Sequence, residues 1–180
     1  AAMGRTILLV AWLAVLAIGQ GCQSQASAGS TPAVVVEIET GNGTFTAELD
    51  AAWAPGTVAN FLRYVDAGLY DGGRFHRTVR ADNQPPDAVR IDVVQGGVDP
   101  GAASKGFPPI AIETTKRTGL RHLDGTLSMA RADPDSATSD FFVCVGDQPE
   151  LDFGGHRNSD GQGFAAFGRV IDGMDVVRAI

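Results

Sequence analysis

The stretch VVVEIETGNGTFTAEL, residues 34–49, sets the fold of this chain. Apolar and charged residues alternate towards the end of VVVEIE, TGNG supplies turn residues, and TFTAEL alternates again. A strand sends successive side chains to opposite faces, so this pattern predicts a β-hairpin with one buried face.

The next segment changes period. In APGTVANFLRYVDAG, Val58, Phe61, Leu62 and Val65 fall at i, i+3, i+4 and i+7, with Pro55 near the start and Gly68 just past the end. That spacing predicts a short amphipathic helix packed on the strands. Further apolar runs recur at RFHRTV (74–79), RIDVVQ (90–95), GTLSMA (125–130), FFVCVG (141–146) and GFAAFGRVI (163–171), separated by Gly, Pro, Asp and Asn. Many short strands and few helices make a mainly β fold, either a closed antiparallel barrel or a sandwich; periodicity does not choose between them. A last helical turn starts in GMDVVRAI and runs uncapped to Ile180, which leads us to expect a fragment of a longer chain.

Residues 1–22, AAMGRTILLVAWLAVLAIGQGC, are unlike the rest of the chain. Arg5 precedes an apolar run from Ile7 to Ile18, the length of a secretory signal core and shorter than the roughly 18–20 residues of a spanning helix. We expect an export signal starting naturally at Met3, hence a periplasmic or membrane-anchored product whose only membrane contact is this segment. Cys22, after small Gly21 and before polar QSQASAGSTPA, resembles the lipidated cysteine of bacterial lipoproteins, although Gly19 stands where such signals favour Leu. The alternative is an ordinary cleaved signal with an incidental cysteine. Residues 23–33 read as a flexible tether and 34–180 as one domain.

With 180 residues, 44% of them hydrophobic, the chain can bury one core. A net charge of −7 and a pI near 4.8 argue against nucleic-acid partners, which require clustered Lys and Arg. The nearest basic cluster, TKRTGLRH (115–122), reads as a solvated loop. Cys144 lies in an apolar run and reads as a small buried hydrophobe, and two cysteines imply no disulfide framework. QGGVDPGAASKG (95–106) lacks the ending of a phosphate loop, and Ser128 lacks a nucleophile elbow. His76, His122 and His156 show no metal-ligand spacing, and NSDGQG (158–163), a fragment of a calcium loop, reads as a glycine-rich surface turn. No metal or cofactor is expected.

What remains is a distributed set. Arg77 and His76 share one strand, and Gln95 ends another before two glycines. A few donors among apolar residues suit a peptide-binding groove; the plainer reading is an Arg77 paired at the surface and a Gln95 capping a turn.

GGRFHRTV (72–79), VVQGG (93–97), GTLSMARADPDSATSDFFVCVGDQPELD (125–152) and GFAAFGRVIDGMDVV (163–177) resemble, in order, successive blocks of the cyclophilin family. The resemblance implies a closed eight-stranded antiparallel barrel capped by two helices, with the last strand missing from this chain. It also implies peptidyl-prolyl cis-trans isomerase activity on proline-containing peptides and folding proteins, by a monomer. Arg77 takes the place of the family's catalytic arginine, Gln95 that of its orienting glutamine, and Phe142 that of the pocket floor. Val93 and Leu151 become walls, Ala130 and Arg131 line the peptide strip, and His76 is a neighbour on the substrate side.

The chain departs from the family pattern at four places and in one insertion. Asp92 replaces an aromatic, Asp140 a glutamine, Glu150 an aromatic tied to cyclosporin contact, and Phe164 a frequent histidine. The insertion RADNQPPDAVRI (80–91) either returns an apolar group such as Ile91 to the missing wall or leaves a weakened pocket. Two readings result: an isomerase, or a peptide-binding chaperone or scaffold with little turnover.

Overall fold

A computed structural model describes residues 33–101 and 105–180. The export segment with Cys22, and the tether up to residue 32, lie outside the described residues.

Strands β1 (Val34–Thr40) and β2 (Gly43–Leu49) form the expected hairpin, in register from Val34↔Leu49 to Thr40↔Gly43. Phe45, Ala47 and Leu49 alternate into the core. Helix α1 (Pro55–Asp66) comes next, and its buried face differs from the prediction in the last turn: Tyr64 is 1% exposed whereas Val65 is 41% exposed. The aromatic packing explains the shift. Phe61 sits among Tyr70, Phe141 and Phe167 with ring centroids 5.1, 5.4 and 5.2 Å away. Tyr64 continues that stack onto Tyr70 and Phe107, which leaves Val65 on the outer side.

Ala54, at the start of α1, offers no capping side chain. The buried Glu113 supplies the cap from 56 residues away, accepting from the Thr57 N–H and Thr57 Oγ1, both at 2.7 Å, and from the Gly56 N–H at 3.2 Å. A carboxylate at a helix N-terminus satisfies orphan donors and complements the helix dipole.

The chain continues through β3 (Arg74–Val79), β4 (Val93–Gly97), α2 (Thr115–Thr118), β5 (Thr126–Met129) and β6 (Phe141–Cys144). A 3-10 turn (Pro149–Leu151), β7 (Ala165–Asp172) and α3 (Met174–Arg178) complete it. TKRTGLRH is not simply a solvated loop: α2 turns Thr115 and Thr118 inward with His122, while Lys116 and Arg117 stay exposed. Charge content marked the outer half of that turn and hid the inner half.

The described residues form one seven-stranded antiparallel sheet in the order β1-β2-β7-β5-β6-β4-β3. Seven strands match the expectation of a cyclophilin-like barrel whose last strand is missing from this chain, and without that strand the sheet curls into a half-barrel whose edges, β1 and β3, do not pair. Both edges line a cavity of about 820 Å³ with Phe61, Tyr70, Phe75 and Phe141. Among the described residues the two expected helices become three: α1 packs on β7, α3 on β2, and α2 was not foreseen.

Candidate active site

A fault in the β3–β4 ladder places Arg77. Phe75 pairs with Gly96 and Arg77 with Gln95, so two steps on β3 oppose one on β4, and His76 is the extra residue of a bulge. In a regular strand residues i and i+2 share a face, and Arg77 would follow Phe75 into the barrel interior. Phe75 does point there, packing on Phe45 and Phe141 at 6.2 and 5.9 Å. The bulge reverses the alternation, so that Arg77 and Val79 face outward with Gln95 and Val93.

Four polar side chains meet there. Arg77 Nη1 approaches Gln95 Oε1 at a long 3.4 Å, which leaves its other N–H groups open to the groove. Gln95 Nε2 donates to Asp140 Oδ2 at 3.2 Å, and the same oxygen lies 3.4 Å from His76 Nε2. Asp140 thus fixes the Gln95 amide with its oxygen towards the guanidinium. Gly97 makes room for it, because a Cβ at that position would overlap the Asp140 carboxylate.

The apolar part is a cluster of Val79, Ile91, Val93, Phe142, Cys144 and Leu151, with Ala130 and Phe164 at its margin. Around it runs a groove of about 380 Å³. Phe142 is 4% exposed and meets Phe164 edge-on at 5.3 Å. Behind it, His122 stacks at 6.1 Å and 20°. His122 Nδ1 lies 2.7 Å from Asp152 Oδ1, a carboxylate that can only accept, so Nδ1 donates to it, and Nε2 lies 2.9 Å from the Ser128 hydroxyl, which can either donate to or accept from it. This Ser-His-Asp chain has the order of a hydrolytic triad, but Ser128 is 0% exposed and no substrate reaches it. Its effect is to hold Phe142 in place. Burial pushes the Cys144 thiol pKa far up, which keeps that cysteine inert.

The insertion restores the wall. Gln84 clamps Ile91 through both backbone groups, its Nε2 donating to the Ile91 carbonyl at 2.8 Å and its Oε1 accepting from the Ile91 N–H at 3.3 Å. Asn83 ties the same loop to β3, through the Thr78 carbonyl and the Arg80 N–H. Ile91 is thereby 8% exposed and lines the groove, whereas Asp92 lies outside it, its N–H held by Gln148.

Arg131 lines the groove, but its guanidinium is committed elsewhere. It binds both oxygens of Asp160 at 2.8 and 2.9 Å and the Gly163 carbonyl, and its side chain is 2% exposed. These hydrogen bonds from Arg131, with one from the Gln162 N–H, lower the Asp160 pKa to about 2. The NSDGQG turn is thus more than a glycine-rich surface turn, since it fastens Arg131 across the groove margin.

The structure therefore gathers Arg77, Gln95, Phe142, Val93, Ala130, Arg131 and Leu151 around one groove, and leaves His76 beside it on the bulge. Glu150 is turned away from the groove to His156, accepting from its N–H at 2.8 Å. Sequence reasoning did not find Val79, Thr138 or Arg157. Val79 was signalled by its place two residues after Arg77; Thr138 and Arg157 come from loops with no periodic signal.

The sequence model of the cyclophilin-type peptidyl-prolyl cis-trans isomerase family matches residues 35–180. The chain belongs to the cyclophilin family. Among relatives named peptidyl-prolyl cis-trans isomerases, one from Streptomyces antibioticus is 41% identical over 81% of this chain and 81% of its own. Another, form A from Dickeya dadantii, is 37% identical over 84% of this chain and 73% of its own. The crystal structure of a cyclophilin-type isomerase from Cryptosporidium parvum superposes with a TM-score of 0.63 at 25% identity, covering 82% of this chain and 83% of that one. The same cyclophilin, crystallised in the presence of the dipeptide Ala-Pro, gives 0.62 at 26% identity, covering 81% and 82%.

Proposed function

We propose that this cyclophilin catalyses cis-trans isomerisation of X-Pro bonds in proteins folding in the bacterial envelope, with Arg77 as the catalytic residue. The observation that carries the reading is a cation turned out of the strand by a bulge, over an apolar groove floored by Phe142.

The chemistry starts from the amide. Rotation about the bond faces a barrier of about 18–20 kcal/mol, because the nitrogen lone pair is shared with the carbonyl. In the twisted transition state the lone pair returns to nitrogen. A donor aimed at the proline side then binds the twisted form better than either planar isomer, and only such differential binding raises the rate. Arg77 suits this role, since its guanidinium stays charged and holds its donors in a rigid plane. Gln95, steadied by Asp140, orients it, while Phe142, Val93, Ile91 and Leu151 hold the proline ring away from water. The groove is complete within one chain, which supports action as a monomer. The low-turnover chaperone reading rested on the lost aromatic at Asp92, and Ile91 fills that wall. Turnover of a proline tetrapeptide, followed by NMR exchange or a coupled assay, tests the proposal; binding without turnover favours the chaperone.

The envelope location rests on the apolar run before Cys22. Expressed in a bacterium, the chain should fractionate with membranes and become soluble as Cys22→Ser; a soluble wild type would overturn the lipid anchor.

Barrel closure belongs to the same reading. An eighth strand laid along the seam would pair both β1 and β3 and cover Phe75 and Tyr70. Amide exchange at β1 and β3 should be slower in a chain lengthened by one such strand than in residues 1–180; equal exchange would overturn closure.

A further inference from the structure

Four charged side chains line the groove: Arg77, Arg131, Asp140 and Arg157. Two of them are already matched. Arg131 is held by Asp160, and Asp140 faces Gln95 and His76. Arg77 and Arg157 have no carboxylate within salt-bridge distance among the described residues, although the chain as a whole carries a net charge of −7.

Arg157 is held rather than loose. Its Nη1 donates to Gln84 Oε1 at 2.9 Å and to the Val89 carbonyl, both neutral acceptors on the inserted loop. Its Nε and Nη2 have no protein acceptor among the described residues, so one side of the guanidinium is free while the other is anchored. Burial, and next the charge of Arg77, lower the Arg157 pKa from its ordinary value, which places the two cations within electrostatic reach. An arginine stays protonated under such a shift, so the groove holds two like charges with no carboxylate of the described residues paired to either.

We propose that the groove selects proline-containing segments that carry an aspartate or glutamate close to the proline, with Arg157 as the residue that receives the carboxylate. The inference rests on the isomerase reading for its proline site and adds a charge preference to it. A bound carboxylate relieves the repulsion between Arg157 and Arg77 and meets the free edge of a planar fork suited to bidentate contact. Arg77 remains aimed at the amide, since the carboxylate is met at the loop side.

Peptides that share one Ala-Pro core, with Glu or Gln scanned over the two residues on either side, provide the test. In low salt, kcat/KM for Glu should exceed that for Gln about three- to tenfold at one position, and the ratio should shrink in about 0.5 M salt as charges are screened. In Arg157→Gln the ratio should fall to about one, whatever the variant's absolute rate, and Arg157→Lys should keep it above one. A wild-type ratio of one at every position, or an Arg157→Gln ratio equal to wild type, would overturn the proposal. Dissociation constants for the same peptides, by NMR titration, give the ratio without turnover. A chain that prefers Glu in binding yet turns over no peptide sinks the isomerase reading alone, and one that turns over Gln and Glu peptides equally sinks the acid preference alone.

Discussion

Arg77→Ala should lower kcat/KM for a proline tetrapeptide about ten- to hundredfold, the factor carried by one charge-assisted hydrogen bond of roughly 1.5–3 kcal/mol. The loss should fall mainly on kcat, because the guanidinium acts on the twisted amide rather than on the planar substrate. Thermal stability should hardly change: Arg77 is exposed, and its one side-chain hydrogen bond among the described residues is the 3.4 Å approach to Gln95. Arg77→Lys should fall between the two, keeping a charge and losing the planar fork. If Arg77→Ala turned over peptide as fast as wild type, the assignment of the catalytic residue would be wrong and the groove would act by burial alone. If both were equally slow while peptide still bound, the chaperone reading would replace the enzyme.

Glu113→Ala should cost more stability than any of the groove substitutions. The carboxylate accepts three hydrogen bonds from Gly56 and Thr57, and Glu113 and Thr57 are both buried. Truncation leaves those donors without an acceptor at the start of α1, at a cost of about 3 kcal/mol. For a domain of this size that corresponds to a melting temperature lower by about 6–12 °C. Glu113→Gln retains one acceptor oxygen and should lose less. A melting curve for Glu113→Ala that coincides with wild type would mean that water replaces the cap.

The α1 cap and the groove share an origin in long-range pairing. Glu113 reaches α1 from 56 residues along the chain, and Arg157 reaches Gln84 from 73. No local pattern carries such a contact, since periodicity reports only which face a residue takes within its own element. The same limit explains α1's last turn, where Val65 fits the helical spacing as well as Tyr64 does, and the aromatic stack on Tyr70 and Phe107 decides between them.

The insertion shows where chemistry-bearing residues are visible and their geometry is not. Ile91 stood out as an apolar residue able to replace the missing aromatic. Whether it reached the groove depended on Gln84, whose amide grips the Ile91 backbone at both N–H and carbonyl. Asp140 likewise stood out as a departure. Its consequence, an acceptor that turns the Gln95 oxygen towards Arg77, needs β4 and β6 side by side in the register Gln95↔Phe142.

By itself, the sequence determined the mainly β class, the opening hairpin, the places of α1 and the later strands, and the identity of most residues that gather at the groove, because alternation, turn residues and ordered blocks are local properties of the chain. The cap on α1 and the outward turn of Arg77 were decided only by tertiary structure. In RFHRTV, strict alternation sends Arg77 inward with Phe75, and a bulge exists only relative to the partner strand it slips against.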